Sequence, residues 1–479
     1  MKVLLVQPPH ISGGISRVPD AFPLSLAYIA KPLMKKHDVE VLDIWACGYD
    51  NSEVKEIIRQ KDFDAVGISA LCTQYSYVKW ISKEIKSIKD KPVVLGGLLA
   101  TNSTDIVLKN TEVDICILGE GEETIVDLLD NLDELDEVEG IAYKDRGEII
   151  RNKPRGLISD LDDIEFPAWE LFPAETYITS STYMDEGRQM SVVVGRGCPY
   201  RCTYCSRSFD NVRYRSVDNV ISEIKELIKR YNIQTVRFAD ELIVVNKKRT
   251  SELCDKIKPL GIKWTCQGRV NTVDYTLLTK MKESGCIRIG YGIESGSQKI
   301  LDIMNKRVTI KQAEEAIAAT RRAGIELWPQ FMFGMVGETK DTIRETIDFC
   351  KRNHLSVPGM SPATPLPNTW LYDHAMKKGM IEDEEKYLEG LPGTFKLYMN
   401  MTDMDDDQYL ELKDSAIHEI NDAYIKYRRF HPSLLYKDYS FKLKKAVSYA
   451  RKKGLVNLFK GLYNSLRKDP RSLFYGELR

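Results

Sequence analysis

A chain of 479 residues exceeds what one ordinary core supports, so about two to four domains are expected. Hydrophobic residues make up 43% and charged residues 29%, the balance of a folded globular protein and not of a disordered one. With 69 Lys and Arg against 70 Asp and Glu the net charge is −1, which excludes a generic polyanion binder. No run approaches ~18 apolar residues, so no transmembrane helix is expected. The apolar stretch 3–6 is too short for a signal-peptide core and meets Pro8-Pro9 at once, so the expected location is cytoplasmic.

Residues 1–140 alternate short β-rich runs with helical patterns. Strands are expected at 2–7, 39–44, 65–69, 93–96 and 114–118, with helices near 24–36, 52–60, 76–89, 103–110 and 122–131. This alternation implies right-handed crossovers and a parallel, doubly wound sheet. Ligands of such sheets sit beyond the carboxyl ends of the strands. Those ends carry Pro9, His10, Gly13 and Gly14 after the first strand, and Ser69, Leu71, Cys72 and Thr73 after the third. Gly96, Gly97 and Leu98 follow the fourth; Gly119, Glu120 and Gly121 follow the fifth. Glycines there let backbone approach a bulky ligand, and they equally suit ordinary strand-to-helix turns.

Residues 141–185 read as a connector, with a hairpin at 141–150 turning at Asp145-Arg146-Gly147 and no clear period after it. Pro167 and Pro173 exclude one long helix there. A second alternating series spans 186–375, with strands expected at 192–195, 235–239, 263–266, 287–293, 327–333 and 355–360. Six βα units in about 180 residues suit a partial (β/α) barrel, whose chemistry lies at the strand C-terminal ends. Residues 376–479 read as helical. From Lys426 onward 15 Lys and Arg face 3 Asp and Glu, and Leu455, Leu458, Phe459, Leu462 and Leu466 keep helical spacing, a basic amphipathic tail.

Ten cysteines in such a chain do not suggest a disulfide framework, and seven are scattered singly. The other three form Gly197-Cys198-Pro199-Tyr200-Arg201-Cys202-Thr203-Tyr204-Cys205 at the end of the first barrel strand. Three thiolates on one tight loop can hold three irons of a 4Fe–4S cube and leave the fourth iron open to a chelating substrate. A structural zinc site is the rival, and it takes four ligands, usually as two spaced pairs. No fourth ligand lies close in sequence: the next Cys is Cys254 and the next His is His354. Plain structural thiols are the third alternative.

The C-x3-C-x2-C spacing, with an aromatic residue before the last Cys, resembles the signature of the radical S-adenosylmethionine (SAM) superfamily. The resemblance implies that Cys198, Cys202 and Cys205 hold the cluster and that the open iron chelates SAM. Electron transfer then cleaves SAM to a 5′-deoxyadenosyl radical. Phe238-Ala239-Asp240-Glu241 stands where the family binds the SAM amino group, and Gly292-Ile293-Glu294-Ser295-Gly296-Ser297 resembles its G-x-E-S-G-S segment. The stretch 333–339, with Gly334 and Val336, resembles the family's adenine cradle. Tyr204 would meet adenine through its backbone, and Gln330 is a further contact for SAM or substrate. Taken singly, Glu294 could cap the following helix and Asp240 and Glu241 could be a solvated turn. Pro367-Asn368-Thr369-Trp370-Leu371 resembles the family's P-G-T-x-L turn with Asn in place of Gly.

The first domain is similar to the cobalamin-binding domain fused to many such enzymes. The resemblance therefore implies an α/β chain: a Rossmann-like cobalamin domain at 1–140, a radical SAM partial barrel at 186–375 and a helical C-terminal region. The loops after strands one, three, four and five would embrace cobalamin. His10 and His37 are the only histidines before residue 354, and neither lies in a D-x-H-x-x-G sequence, so cobalt is expected without a protein His. The residue over its lower face would come from 71–75. The implied reaction is methylation of an unactivated carbon: one SAM methylates cobalamin, and a second yields the radical that opens the substrate. Polar contacts to substrate could come from Arg196, Gln267, Arg269, Trp328 or Gln330, or these could pack or pair within the protein. An electron donor such as a ferredoxin or flavodoxin, and an anaerobic host, follow from the cluster. The tail could dock a protein substrate (methyl-coenzyme M reductase is one in this family) or a lipid surface, or be a solvated cap. RNA is least favoured, because the tail's aromatics form no stacking platform. Radical cyclisation or oxidation without methyl transfer, and a non-catalytic cobalamin carrier or sensor, are the alternatives.

Overall fold

The computed structural model describes residues 1–9, 21–179, 187–207, 209–391 and 396–431. His10, Gly13, Gly14 and nearly all of the basic tail lie outside the described residues. Among the described residues no helix is long and apolar enough to cross a membrane.

The first sheet is built on β1 (Lys2–Gln7), β2 (Asp38–Asp43), β3 (Ala65–Ser69), β4 (Val93–Gly96) and β5 (Ile115–Ile117), all parallel in the order β2-β1-β3-β4-β5. The near-continuous apolar runs, such as Val3-Leu4-Leu5-Val6, follow from burial on both faces. The order reverses between β1 and β3, so the crevice above those two strands is the topological switch point. The hairpin β6 (Ile141–Asp145) and β7 (Glu148–Arg151) forms as expected and adds two antiparallel strands at the β5 edge. Arg146 and Gly147 both take positive φ, the conformation a two-residue hairpin turn requires.

The connector has little regular structure but much apolar surface. Phe22 of the first domain packs edge-on against Phe172 and Tyr177, each at 5.2 Å. Trp169 is fully buried, and one continuous apolar cluster runs from the sheet through these rings into the second domain. The two domains are thus fused by hydrophobic burial.

In the second domain six parallel strands follow in order: β8 (Gln189–Val192), β11 (Thr235–Phe238), β12 (Lys263–Gly268), β13 (Cys286–Glu294), β14 (Glu326–Phe333) and β15 (Ser361–Pro362). A short antiparallel pair, β9 (Gly195–Arg196) and β10 (Arg213–Tyr214), projects from the end of β8. The partial barrel is therefore present, with two outer strands displaced from their expected positions. The first lies three residues early because the amides of Val194 and Gly195 donate to the Asp240 carboxylate instead of to a ladder. The last begins at Ser361, after Pro358 and Gly359. Upstream, the amide and carbonyl of Val357 bond the Asn421 side chain at 3.0 and 2.7 Å. Asn421 belongs to the long helix Asp406–Arg428, which packs along helix Lys340–Arg352 at the barrel edge.

The segment after the barrel returns to the first domain. Helix Glu384–Gly390 lies on helix Tyr75–Ile88, with Lys79 bonded to Glu385 and Glu389 at 2.6 and 2.8 Å. This pins the start of the helix that follows the 71–75 loop.

Asn421→Leu removes both partners of the Val357 backbone groups and leaves them buried. Each orphaned group costs about 1–3 kcal/mol. The variant is expected to melt several degrees lower in a thermal scan, with far-UV circular dichroism unchanged at 20 °C (about room temperature).

Candidate active site

The three-cysteine loop grows from the β9–β10 hairpin. Gly197 takes φ +93°, and a Cβ there would strike the Asn211 carbonyl at 2.2 Å, so only glycine lets the chain enter the loop. Asp240 fixes the approach. Its buried carboxylate accepts from Val194 N at 2.9 Å and Gly195 N at 2.7 Å, and burial pushes its pKa up to about 7. Asp240 is thus occupied as an anchor. Glu241 is the exposed carboxylate of the expected pair, and its charge reaches both Cys198 and Cys205.

Cys198 and Cys202 are half-buried. Cys205 counts as exposed as a whole residue, yet its sulfur is enclosed enough for desolvation to dominate. Burial and then the charge of Cys202 raise the Cys198 thiol; burial, Cys202 and Cys198 push Cys205 up to about 11. The thiols therefore sit within each other's field, and forming several thiolates together requires a cation to offset their repulsion. Among the described residues no three Cys, His, Asp or Glu side chains form a ready-made metal cage. The fit to a cluster rests instead on three soft donors carried by one short loop, two of them, Cys198 and Cys205, raised by burial and by the third. Cys72, by contrast, is buried, weakly bonded to the Leu98 carbonyl and pushed up to about 11 by burial.

The cysteine loop is gripped from below by the segment after helix Gln298–Ile303. Thr203 N donates to the Met304 carbonyl at 3.0 Å, and Asn305 Nδ2 donates to the Arg201 carbonyl at 2.6 Å. Lys306 Nζ reaches Glu294 Oε1 at 2.7 Å and the Tyr204 hydroxyl at 3.0 Å, while that hydroxyl donates to Glu294 at 3.0 Å. Glu294 sits at φ +67° where β13 bulges against β14. A Cβ at Gly292 would stand 2.3 Å from its Oε1. Glu294 thus pairs with Lys306 and does not cap the following helix. Ser295 is spent on scaffolding: its hydroxyl pairs with Thr346 and accepts from Ser297 N. Gln330 is half-buried on β14. Gly334 takes φ +85° and lies under the Tyr409 ring, while Val336 is half-buried beside it. The sequence does not single out Lys306 or Tyr409: one looks like a solvated loop lysine, and the other, whose hydroxyl donates to the Phe333 carbonyl, comes from a helix 76 residues downstream of it.

At the ligand end of the first sheet Gln74 ties two loops together. Its amide donates to the Pro8 and Pro9 carbonyls at 3.3 and 3.0 Å, while its Oε1 accepts from Leu71 N at 2.8 Å. Leu71 is thereby held outward, 39% exposed at the switch point, with Thr73 half-buried behind it. Ser69 meets the Ser25 hydroxyl at 3.4 Å. Gly96 and Gly97 bring the chain to Leu98; Gly97 has φ +85°, and a Cβ there would hit the Ala70 carbonyl. Gly119 faces open space, whereas Gly121 makes room for Ile29 of the helix Leu24–Leu33. His37 lies at the foot of β2, away from this end.

Glu120 has a different role from ligand contact. Its carboxylate accepts from Arg196 Nη1 at 2.6 Å, from Arg213 at 2.8 and 2.9 Å, and from Ile158 N at 2.9 Å. Glu122 takes the other arm of Arg196 at 2.5 Å. Arg196 is therefore spent between the domains. Nearby, Asn102 bonds Ser206 at 2.9 Å and Asn368 at 3.2 Å. Asn368 adopts φ +63°, a left-handed turn that Asn tolerates better than other side chains.

Family models described as the radical SAM superfamily and as the B12 binding domain match residues 192–350 and 13–129. The chain is 33% identical over 394 residues to an uncharacterized methyltransferase of Pyrococcus horikoshii, spanning 80% of this chain and 84% of that one. It is 30% identical over 407 residues to the anaerobic magnesium-protoporphyrin IX monomethyl ester cyclase of Rubrivivax gelatinosus, spanning 81% and 72%. The solved structure of the radical S-adenosylmethionine methyltransferase TsrM from Kitasatospora setae, with cobalamin and a 4Fe–4S cluster bound, matches with TM-score 0.65 at 18% identity, over 79% of this chain and 75% of that one. That last likeness is one of fold.

Burial alone would raise the Glu120 pKa, but the hydrogen bonds from Arg213, Arg196 and Ile158 N outweigh it and hold the carboxyl below the ordinary glutamate range. Its stabilisation is complete above the unfolded value near 4.5 and is lost as pH falls through the depressed folded value. Glu120→Gln is expected to cost about 3 kcal/mol, since Arg213 loses its carboxylate and Arg196 keeps only Glu122. Calorimetry at pH 7 should show the melting of the two domains separating. For Asp240 the sign is opposite. Its raised pKa means stability declines as pH rises from about 4 through about 7. Asp240→Asn should flatten the fall in melting temperature between about pH 5 and pH 7.5.

Proposed function

The chain belongs to the B12-binding radical SAM family, and on that premise we propose that it transfers a methyl group from SAM, by way of cobalamin, to an unactivated carbon. The observation that carries this reading is the direct bonding of the sheet's ligand loops to the cysteine loop, through Asn102–Ser206 and through Glu120 and Glu122 to Arg196. These bonds hold the two sets of loops side by side, the proximity that methyl transfer to a substrate radical demands.

When bound, the 4Fe–4S cluster supplies the electron that cleaves SAM, and cobalamin carries the methyl group. Cys198, Cys202 and Cys205 would hold the cluster. Glu241 is the free carboxylate for the SAM amino group, with Asp240 behind it fixing the loop. Gly334 and Val336 offer backbone for adenine, and the buried Tyr204–Glu294–Lys306 group keeps the loop from moving as charge changes. For cobalamin the lining is Ser69, Leu71, Thr73, Gly96, Gly97, Leu98 and Gly119, with Pro9 held by Gln74. Leu71 offers no Lewis base and Cys72 stays a buried thiol. Cobalt without a protein His, the state that favours methyl loss, is proposed on the sequence alone, which holds no D-x-H-x-x-G segment.

A protein side chain, as in methyl-coenzyme M reductase, is the substrate class we propose, supported by the basic excess after Lys426. Cyclisation is the second reading, favoured by likeness to the Rubrivivax gelatinosus cyclase. The test is anaerobic turnover of reconstituted enzyme with methyl-labelled SAM and a strong reductant. Methyl transfer predicts S-adenosylhomocysteine and 5′-deoxyadenosine in equal amounts, with label in the product. 5′-Deoxyadenosine without label supports cyclisation instead. Cys198→Ala should lose the brown chromophore, the bound iron and all 5′-deoxyadenosine.

A further inference from the structure

Arg269 stands one residue beyond β12, at the barrel mouth, and is only 4% exposed. Other arginines enclosed around the cysteine motif meet carboxylates: the buried Arg215 meets Glu223, and the half-buried Arg196 and Arg213 meet Glu120. Arg269 does not. Its Nε donates to Asn271 Oδ1 at 3.0 Å, and its guanidinium lies flat over the Tyr200 ring at 3.7 Å. Nη1 is directed at Cys202 Sγ, 3.9 Å away. Nη2 is buried with no partner among the described residues. A guanidinium held this way, with its outer edge facing the thiols, is costly unless an anion meets it.

A cube of four irons held by three thiolates is such an anion, and reduction adds one more negative charge to it. Hydrogen bonds and positive charge at cluster sulfurs raise the potential. Lys306, the other buried cation beside the loop, is already neutralised by Glu294 at 2.7 Å, so its net field on the cluster is small. We propose that Arg269 is the cluster's hydrogen-bond donor, with Nη1 on the Cys202 sulfur and Nη2 on a cluster sulfide, and that it sets the potential at which SAM can be reduced. Tyr200, inside the cysteine motif, keeps the guanidinium fork in plane. Arg269 is then not a substrate contact. This inference rests on the cluster reading above.

The test is a redox titration, followed by electron paramagnetic resonance, of the reconstituted full-length protein without SAM. Leaving SAM out excludes any effect through its carboxylate. Arg269→Gln should be about tenfold less reduced at a fixed potential, a shift of about 59 mV to more negative values for one electron. Arg269→Lys keeps the charge and loses the fork, so it should shift in the same direction by less. Wild-type potentials in both variants overturn the inference. If the Gln variant holds no stable cluster, an unchanged potential in the Lys variant overturns it alone. A wild-type protein that binds no iron and sulfide overturns the proposed function, and this inference with it.

Discussion

The molecule depends on one buried ion-pair junction. Glu120, on the loop after β5, binds two arginines that flank the cysteine motif on the β9–β10 hairpin, and Glu122 binds one of them again. Charges so enclosed are costly to separate, because a stranded partner loses its counter-ion and cannot recover water. The loop that faces ligand in one domain is therefore fastened to the strand that launches the thiols in the other. Apolar packing of Phe22 against Phe172 and Tyr177 gives this junction bulk strength; the ion pairs give it register.

From that junction the thiol loop is immobilised on every side. Asp240 holds its entry, the Thr203, Asn305 and Lys306 bonds hold its middle and exit, and Asn102 holds Ser206 just past Cys205. Several of these anchors adopt left-handed backbone: Glu294, Asn305 and Asn368. Such positions persist only where the surroundings over-determine them. Burial and the neighbouring Cys202 raise the Cys198 and Cys205 thiols within this fixed loop.

A division of labour follows among similar residues. Of the two adjacent carboxylates Asp240 and Glu241, one anchors and one faces outward. Lys306 is matched by Glu294, while Arg269 has no carboxylate. The C-terminal region contributes at two places far apart in sequence: Asn421 completes the barrel edge, and Glu385 braces the helix behind the 71–75 loop.

The sequence alone determined the alternation of strand and helix, since burial on both faces forces continuous apolar runs such as Val3-Leu4-Leu5-Val6. It also determined the thiol loop, because C-x3-C-x2-C is a local pattern. The hairpin at Arg146-Gly147 was equally legible, its turn chemistry being contained in two residues. Only the tertiary structure decided where β8 ends and β15 begins, because the competing partners, the Asp240 carboxylate and the Asn421 amide, arrive from 46 and 64 residues away. It likewise assigned Glu120 to arginines across a domain boundary, and gave Lys306 a buried partner. A charge carries no mark of its future neighbour in its own sequence; burial and pairing are properties of the packed chain.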